Sequence, residues 1–156
     1  MSDGDANIIV ELANLRSLTS SDFIALAPLN DSDQRIRWKY ALGSRNERYK
    51  QMIIKSGQGL AGSALRLGRW VKLDDTHPDA DQVRLHCPVM LAEQLQTAAV
   101  FPILTDSNNP LSFINGLLFI GKRKHPRYVQ EEILAVQENL QTLTWYLKVN
   151  TGEISK

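Results

Sequence analysis

The sequence is poor in cysteine, in net charge and in long apolar runs. Its 156 residues include one cysteine, Cys87, which excludes an intrachain disulfide framework and a four-cysteine metal site. A formal net charge of +1 at pH 7 predicts no strong general attraction to nucleic acid, membranes or acidic substrates. The most apolar stretches, 98–104 and 117–120, are far shorter than the ~20 residues of a membrane-spanning helix. Because the acidic N-terminus is unlike a secretory signal, we expect a cytoplasmic protein.

Helical patterns are present at both ends of the chain. Ile8, Leu12 and Leu15 recur at helical spacing and predict a helix over about 6–18. A second helix is predicted over about 129–149, and its apolar residues keep the three–four spacing of a helix-pairing seam: Ile133, Val136, Leu140, Leu143 and Leu147. We expect these two helices to pack together and, in a pair of chains, to form a homodimer interface of four helices.

An extended pattern follows the first helix. Residues 22–29 predict a strand, 30–33 a polar turn and 35–42 a second strand. In the second strand basic residues alternate with bulky ones, which places Trp38 and Tyr40 on the same face. The two strands are predicted to form a hairpin.

Glycine and proline divide the middle of the chain. A short helix over 60–67 is closed by Gly68, and a helical pattern over 83–95 is interrupted by Pro88, which suits the first turn of a new helix. The other predicted elements are helical turns over 47–54 ended by Gly57 and strands over 70–73, 97–104 and 113–121.

The order of these elements predicts one α+β domain over 1–156, with no repeat or linker dividing it. Its motifs resemble the central signature of GAF domains: Gly59-Leu60-Ala61-Gly62, then Ala64, Gly68-Arg69 and Asp74-Asp75, with Phe101-Pro102-Ile103 and Gly116-Leu117-Leu118 in two later strands. The resemblance implies an antiparallel sheet. The terminal helices would lie on one face of it, and short helices would surround a ligand pocket on the other.

A narrower resemblance is to the NreA-type nitrate receptors, which are stand-alone GAF proteins. It rests on residues 36–40, Gly43, 46–50 and 57–62. The resemblance implies a nitrate sensor without enzymatic activity that modulates an oxygen-responsive sensor histidine kinase in the control of nitrate respiration. The family's ligand residues correspond to Trp38, Leu60, Ala61 and the segment Cys87-Pro88-Val89, where this chain has cysteine in place of the family's tyrosine.

Elementary chemistry also supports an anion site at the glycine-rich turn. The first N–H groups of a helix lack intrahelical acceptors, and the helix dipole makes that end partly positive. Gly59 allows a ligand to approach the N–H groups of Leu60 and Ala61. Pro88 begins a second helix, so Val89 and Met90 offer further N–H groups, and an indole N–H completes the set. We therefore predict that nitrate or a similar small anion binds, with no catalytic residue, metal or cofactor, among Trp38, Gly59, Leu60, Ala61, Cys87, Pro88 and Val89.

Several alternatives stay open. Trp38 is also typical of a core residue, and the glycines are also typical of helix caps. In that case the domain has a different ligand or none, and it acts chiefly in dimerisation or docking. Cys87 is also readable as the thiol of a methionine sulfoxide reductase, but it lacks a resolving partner. The seven basic residues within 35–55 are interpreted as a solvated face that steers anions or meets an acidic partner, rather than as a nucleic-acid patch. The acidic residues of 74–81 are interpreted as a solvated loop beside the pocket, and the three histidines lack metal-ligand spacing.

Overall fold

The computed structural model describes residues 3–29, 35–106, 112–124 and 127–150. Five helices and one short 3-10 helix are present: α1 (Asp3–Leu18), the 3-10 helix (Arg48–Gln51), α2 (Gly59–Leu67), α3 (Ala80–Leu85), α4 (Pro88–Glu93) and α5 (Gln130–Asn150). Seven strands are present in the same residues: β1 (Phe23–Pro28), β2 (Ile36–Arg37), β3 (Tyr40–Leu42), β4 (Ile53–Ile54), β5 (Val71–Leu73), β6 (Thr97–Leu104) and β7 (Ile114–Lys122).

Five strands form an antiparallel sheet in the order β3-β1-β7-β6-β5, and β2 pairs with β4 in a separate two-stranded sheet. Strands β1, β6 and β7 are buried on both faces, since successive side chains alternate between two apolar cores. Leu118 and Ile120 contribute to the core beneath the terminal helices, whereas Leu117 and Phe119 contribute to the opposite core.

The terminal helices occupy one face of the sheet, as predicted. Helix α1 contacts α5, and both lie over a core that contains the predicted helical positions of each. The seam of α5 is buried within the chain: Ile133, Val136, Leu143 and Leu147 are at most 8% exposed. The short helices α2 and α4 lie over the other core. The α+β class and the two-faced arrangement are thus confirmed. No helix among the described residues is long and apolar enough to cross a membrane.

The predicted strand over 35–42 is wrong in one respect, because it is interrupted at Trp38 and Lys39. Before the interruption the chain pairs with β4, and after it Tyr40 pairs with Leu26 of β1. Trp38 consequently enters the core on the short-helix side, whereas Tyr40 enters the core beneath α1 and α5. Alternation in the sequence predicts one face for both residues only while the strand keeps the same partner.

Local signals are accurate elsewhere. Pro88 separates α3 from α4, and Gly68 ends α2 in a left-handed conformation with φ +70°. The helical turns predicted over 47–54 end earlier, at Gln51, because Ile53 and Ile54 form β4. The predicted turn at 30–33 and most of the loop before β7 lie outside the described residues.

Candidate functional site

A cavity of about 130 Å³ lies between α2, α4 and the two-stranded sheet. Its exposed lining residues form the rim: Ile53, Lys55, Gln58, His86 and Pro88. Its buried or half-buried lining residues form the wall: Trp38, Met52, Ile54, Gly59, Leu60, Ala61, Cys87, Val89 and Phe119. All seven residues predicted for the anion site therefore line one cavity.

The first turn of α2 supplies backbone donors to this cavity. Gly62 N–H bonds to Gln58 C=O at 3.2 Å, but the N–H groups ahead of it precede any intrahelical acceptor. Leu60 N–H donates instead to Cys87 Sγ at 3.3 Å. Ala61 N–H has no hydrogen-bond acceptor among the described residues, so it remains available to a ligand.

Glycine is required where α2 meets the segment before α4. Gly59 has φ +68°, and a Cβ there would lie 2.9 Å from the His86 carbonyl oxygen. Such a contact is too close, so a side chain would push α2 away from that segment. Gly59 thus permits both the turn and the narrow spacing of two cavity walls.

Gly62 has a different role, which is structural. A Cβ at Gly62 would lie 2.1 Å from Lys55 C=O, and the Gly62 C=O accepts a hydrogen bond from Gly57 N–H at 2.8 Å. The missing side chain of Gly62 and this hydrogen bond allow the turn of 55–57 to pack against α2. The glycine stretch therefore divides into a cavity-forming residue and a packing residue.

Trp38 lines the cavity and carries an indole N–H group. Its side chain is 3% exposed, and its ring meets Phe119 edge-to-face with centroids 5.6 Å apart. The indole N–H makes no hydrogen bond within the described part of the chain, and its nitrogen keeps some exposure, since it is not among the fully buried unpaired atoms there. An occupant with an acceptor atom would satisfy it.

Cys87 connects the two helix starts. It precedes α4, is 4% exposed, and its C=O accepts the Leu91 N–H at 3.2 Å. Burial raises the pKa of the Cys87 thiol, against smaller lowering effects from the Leu60 hydrogen bond and Arg84. The sulfur is thus protonated and uncharged at neutral pH.

The far end of α4 is fixed by buried charge, which the sequence pattern did not reveal. Glu93 is fully buried, and its Oε1 accepts hydrogen bonds from Arg123 Nη2 and from Arg45 N–H, both at 2.7 Å. Arg123 also donates to the Glu93 and Gly43 carbonyl oxygens at 2.9 Å. We call this group of residues the α4 clamp. It satisfies the last carbonyl of the helix and joins it to the end of β7 and to the loop after β3.

Some expectations about the surroundings fail. Met90 is fully buried and does not line the cavity, and no residue of the 74–81 loop lines it. Asp74 is not solvated but 3% exposed. Burial alone would raise its pKa, but hydrogen bonds from Thr76 and the charge of Lys72 hold the pKa below its usual range.

The lining residues that sequence reasoning missed are Met52, Ile53, Ile54, Lys55, Gln58, His86 and Phe119. The first four belong to the segment of β4, which pairs with the distant strand β2. Phe119 could be assigned to the cavity wall only if the face of β7 on which it lies were known. The three polar or charged side chains among them, Lys55, Gln58 and His86, flank the predicted motifs and could have been noticed. Among the described residues, no group of three or more His, Cys, Asp or Glu side chains forms a metal-ligand cluster, and His125 lies outside them.

The cavity as a whole offers hydrogen-bond donors and no negative charge. None of the described residues that line it is Asp or Glu, and Lys55 is at its rim. Three residues of its wall, Trp38, Ala61 and Cys87, carry an indole N–H, a free backbone N–H and a thiol. This arrangement suits a ligand made of acceptor atoms and disfavours a cation.

Solved structures similar to this chain share its fold. One is a Staphylococcus aureus NreA protein mutated in its nitrate-binding site, with 25% identity, 77% of this chain and 86% of that chain covered, and a TM-score of 0.63. Another is the GAF domain of a two-component sensor histidine kinase from Bacillus halodurans, with 18% identity, 97% of both chains covered and a TM-score of 0.71. A third is the free methionine-R-sulfoxide reductase of Neisseria meningitidis, with 16% identity, 97% and 82% coverage and a TM-score of 0.71.

No protein-family model matches the chain, and no curated protein matches it at the level of sequence. The structural likenesses give this chain a GAF fold that resembles the NreA structures.

Proposed function

Taking the GAF fold as the premise, we propose that this chain is a non-enzymatic sensor of a small oxyanion, and that the anion is nitrate. The observation that carries the proposal is the acid-free cavity in which the Trp38 indole N–H and the Ala61 N–H lack acceptors. The start of α2 adds a partly positive helix end. Nitrate would accept hydrogen bonds at its oxygens while the apolar walls cover the rest of it.

The size of the cavity supports a ligand of a few heavy atoms. A cavity of about 150 Å³ holds benzene, and this one measures about 130 Å³. Drug-sized ligands occupy pockets of roughly 300–1,000 Å³. Nitrate, with four heavy atoms, fits this limit, whereas a cyclic nucleotide exceeds it.

Isothermal titration with nitrate tests the proposal. We expect the wild-type protein to bind nitrate, and Trp38→Phe to bind it roughly ten- to a hundredfold more weakly, since a hydrogen bond to a charged group contributes about 1.5–3 kcal/mol. Phenylalanine keeps the ring packing on Phe119 and removes the donor.

Trp70→Phe is the matched control, because Trp70 stacks on Phe101 in the core beneath the terminal helices and does not line the cavity, so the substitution should leave the affinity unchanged. Absence of heat with nitrate at millimolar concentration, in wild-type protein that is folded, would contradict the proposal.

We further propose that the chain is cytoplasmic and that occupancy of its cavity alters the affinity for a partner, by resemblance a sensor histidine kinase of nitrate-responsive regulation. Such control requires that the anion bind one conformation more tightly than another. Helix α4 is the element suited to respond, because Cys87, Pro88 and Val89 line the cavity and Glu93 at its other end is held by the α4 clamp.

We also propose that the chain forms a homodimer through its terminal helices. Leu134 and Trp145 of α5 are 44% and 53% exposed, and Val10 of α1 is 68% exposed. Leu134 and Trp145 are three helical turns apart and so share a face. These side chains, rather than the buried α5 seam, are the ones that a second chain would cover.

A thiol reductase is the main competing function, since the fold is shared with a methionine sulfoxide reductase. Two features favour the sensor. Burial raises the pKa of the Cys87 thiol, which reduces the thiolate needed for attack, and the chain has no second cysteine to resolve the oxidised sulfur. Turnover of free methionine sulfoxide by the purified protein would reverse this assignment.

A further inference from the structure

The two-stranded sheet has one face that is turned away from the core. Ile36 and Ile54 are directly paired and pack toward the core on the short-helix side, where Ile54 is 8% exposed. Arg37 and Ile53 form the next pair, so the alternation of side chains places both on the opposite face. Both are exposed, and Ile53 keeps 42% of its surface. An apolar side chain therefore lies uncovered beside an arginine.

Two further cations adjoin this face. Lys55 follows β4 directly and is exposed, and Arg48 is exposed on the 3-10 helix, which contacts β2. Arg37, Arg48 and Lys55 make no ion pair with any of the described residues. We call the group formed by Arg37, Arg48, Ile53 and Lys55 the basic ribbon.

The charge of this region differs from that of the chain as a whole. Residues 35–55 hold seven basic residues and one acidic residue, Glu47, whereas the whole chain has 18 basic and 17 acidic residues. The Glu47 carboxylate pairs with Lys50 Nζ at 2.8 Å, so its charge is balanced by a cation outside the basic ribbon. The basic ribbon therefore presents positive charge that is complementary to an acidic surface.

The remaining side chains of the region indicate which kind of acidic surface fits. Trp38, Tyr40 and Tyr49 are at most 8% exposed, so none of them is available to stack on a nucleic-acid base. A membrane surface requires a broad apolar face, whereas the basic ribbon has one apolar side chain. An acidic polypeptide segment uses both features of the basic ribbon, since an apolar anchor is covered at the centre of a protein interface and charges act around it.

We propose that the basic ribbon is the docking surface for an acidic polypeptide segment of a partner protein. An apolar residue of that segment covers Ile53, and its carboxylates lie beside the three cations. The inference goes beyond anion sensing and does not depend on it, because these side chains are exposed whether or not the cavity is filled. Docking should weaken as the salt concentration rises, since exposed charge pairs are screened.

Selection of short random peptides, displayed on phage, against immobilised wild-type protein tests the proposal. We expect the enriched peptides to carry net negative charge and at least one apolar residue. The most enriched peptide, made synthetically, should bind more weakly as salt rises. Enrichment of neutral or basic peptides, or of none, would overturn the inference.

Two charge reversals locate the contact. Arg37→Glu should weaken binding of the selected peptide about tenfold, because an attractive charge pair becomes a repulsive one. Arg69→Glu is the matched control, since it changes the net charge equally and Arg69 is exposed beyond the C-terminal end of α2, whereas the cavity lies at its start. We expect Arg69→Glu to change the affinity by at most about twofold. Equal weakening by both variants would show attraction to the overall charge and would contradict a docking surface at the basic ribbon.

Ile53→Thr tests the apolar contact. Threonine keeps the β-branched shape that strands favour and reduces the apolar surface, so the selected peptide should bind several-fold more weakly. An unchanged affinity would contradict the role given to Ile53. Circular dichroism of each variant establishes that it is folded, and if Ile53→Thr is unfolded, the two arginine variants decide alone.

Two other probes and the nitrate titration complete the design. Duplex DNA or phosphatidylserine vesicles that bind wild-type protein more tightly than the selected peptide, and lose that binding in Arg37→Glu, would overturn the inference in favour of those partners. Failure of nitrate to bind removes the proposed function and leaves the docking surface standing. Failure of the peptide selection removes the docking surface and leaves the proposed function standing.

Discussion

Gly59 and Gly68 provide a contrast at the scale of single residues. Both begin or end α2 with a left-handed backbone, at φ +68° and φ +70°. A Cβ on Gly59 would lie 2.9 Å from His86 C=O, whereas a Cβ on Gly68 would meet nothing within 4 Å. Both positions favour glycine for its left-handed backbone, but only Gly59 also lacks room for a side chain. Comparing them therefore separates backbone strain from steric clash.

We predict that Gly59→Ala lowers the free energy of unfolding by about 2–4 kcal/mol, since left-handed strain adds to a steric clash. Gly68→Ala should lower it by about 1–2 kcal/mol through strain alone. Urea denaturation measures both. Equal losses in the two variants would show that the His86 contact contributes nothing.

The candidate site illustrates how far residue-level signals reach. Gly59, Leu60, Ala61 and Pro88 follow from local turn and helix-start patterns, and the structure brings them to one cavity. Phe119 carries no local signal, because its position in the wall depends on which face of β7 it occupies. Residues that become neighbours through strand pairing are beyond a local pattern.

At the scale of elements, α4 is short and depends on contacts at its two ends. Six residues contain few internal hydrogen bonds, so isolated helical propensity contributes little. Cys87 fixes its start through Leu60, and the α4 clamp fixes its end. The clamp contains the fully buried carboxylate of Glu93, whose Oε2 has no partner among the described residues. The stability of the fold should therefore be sensitive to loss of the Arg123 guanidinium, which pairs with Oε1.

We predict that Arg123→Met lowers the free energy of unfolding by about 3 kcal/mol, because Glu93 would remain buried without its charge partner. Arg127→Met is the control. Its ion pair with Asp75 is half exposed on both sides, so we expect a loss of at most about 1 kcal/mol. Chemical denaturation of the two variants gives the comparison, and equal stabilities would contradict the role assigned to the clamp.

Prediction at this scale succeeded where an element is defined by its own residues. The separation of α3 from α4 at Pro88 and the helical spacing of α5 are local properties, and both are confirmed. The strand over 35–42 was predicted as continuous and is not, since a change of partner from β4 to β1 leaves no trace in the alternation. The α4 clamp was also missed, because Glu93 and Arg123 are thirty residues apart.

At the scale of the whole molecule, the sheet separates the face that carries the cavity from the face covered by the terminal helices. The α+β class was predictable from the order of the elements, and the two-faced arrangement was implied by the resemblance to GAF domains. What was not predictable is which apolar side chains of the terminal helices remain uncovered. The regular seam of α5 is used inside the chain, and the outer face carries Leu134 and Trp145.

We predict that sedimentation velocity finds a dimer for wild-type protein and a monomer for Trp145→Glu, since a charge in an apolar interface is not tolerated. Leu85→Glu is the control: Leu85 is 59% exposed on α3, away from the terminal helices, and its substitution should leave the dimer intact. A wild-type protein that is monomeric at all concentrations would contradict the proposed homodimer.

The alternation of β7 between two cores has a consequence for the sensing that we propose. Phe119 forms part of the cavity wall, and its chain neighbours Leu118 and Ile120 pack beneath the terminal helices. Adjacent residues of a strand are about 3.4 Å apart along the chain. The cavity wall and the core beneath the terminal helices are therefore formed by adjacent residues of one strand, so a small displacement of Phe119 reaches that core through a single peptide unit.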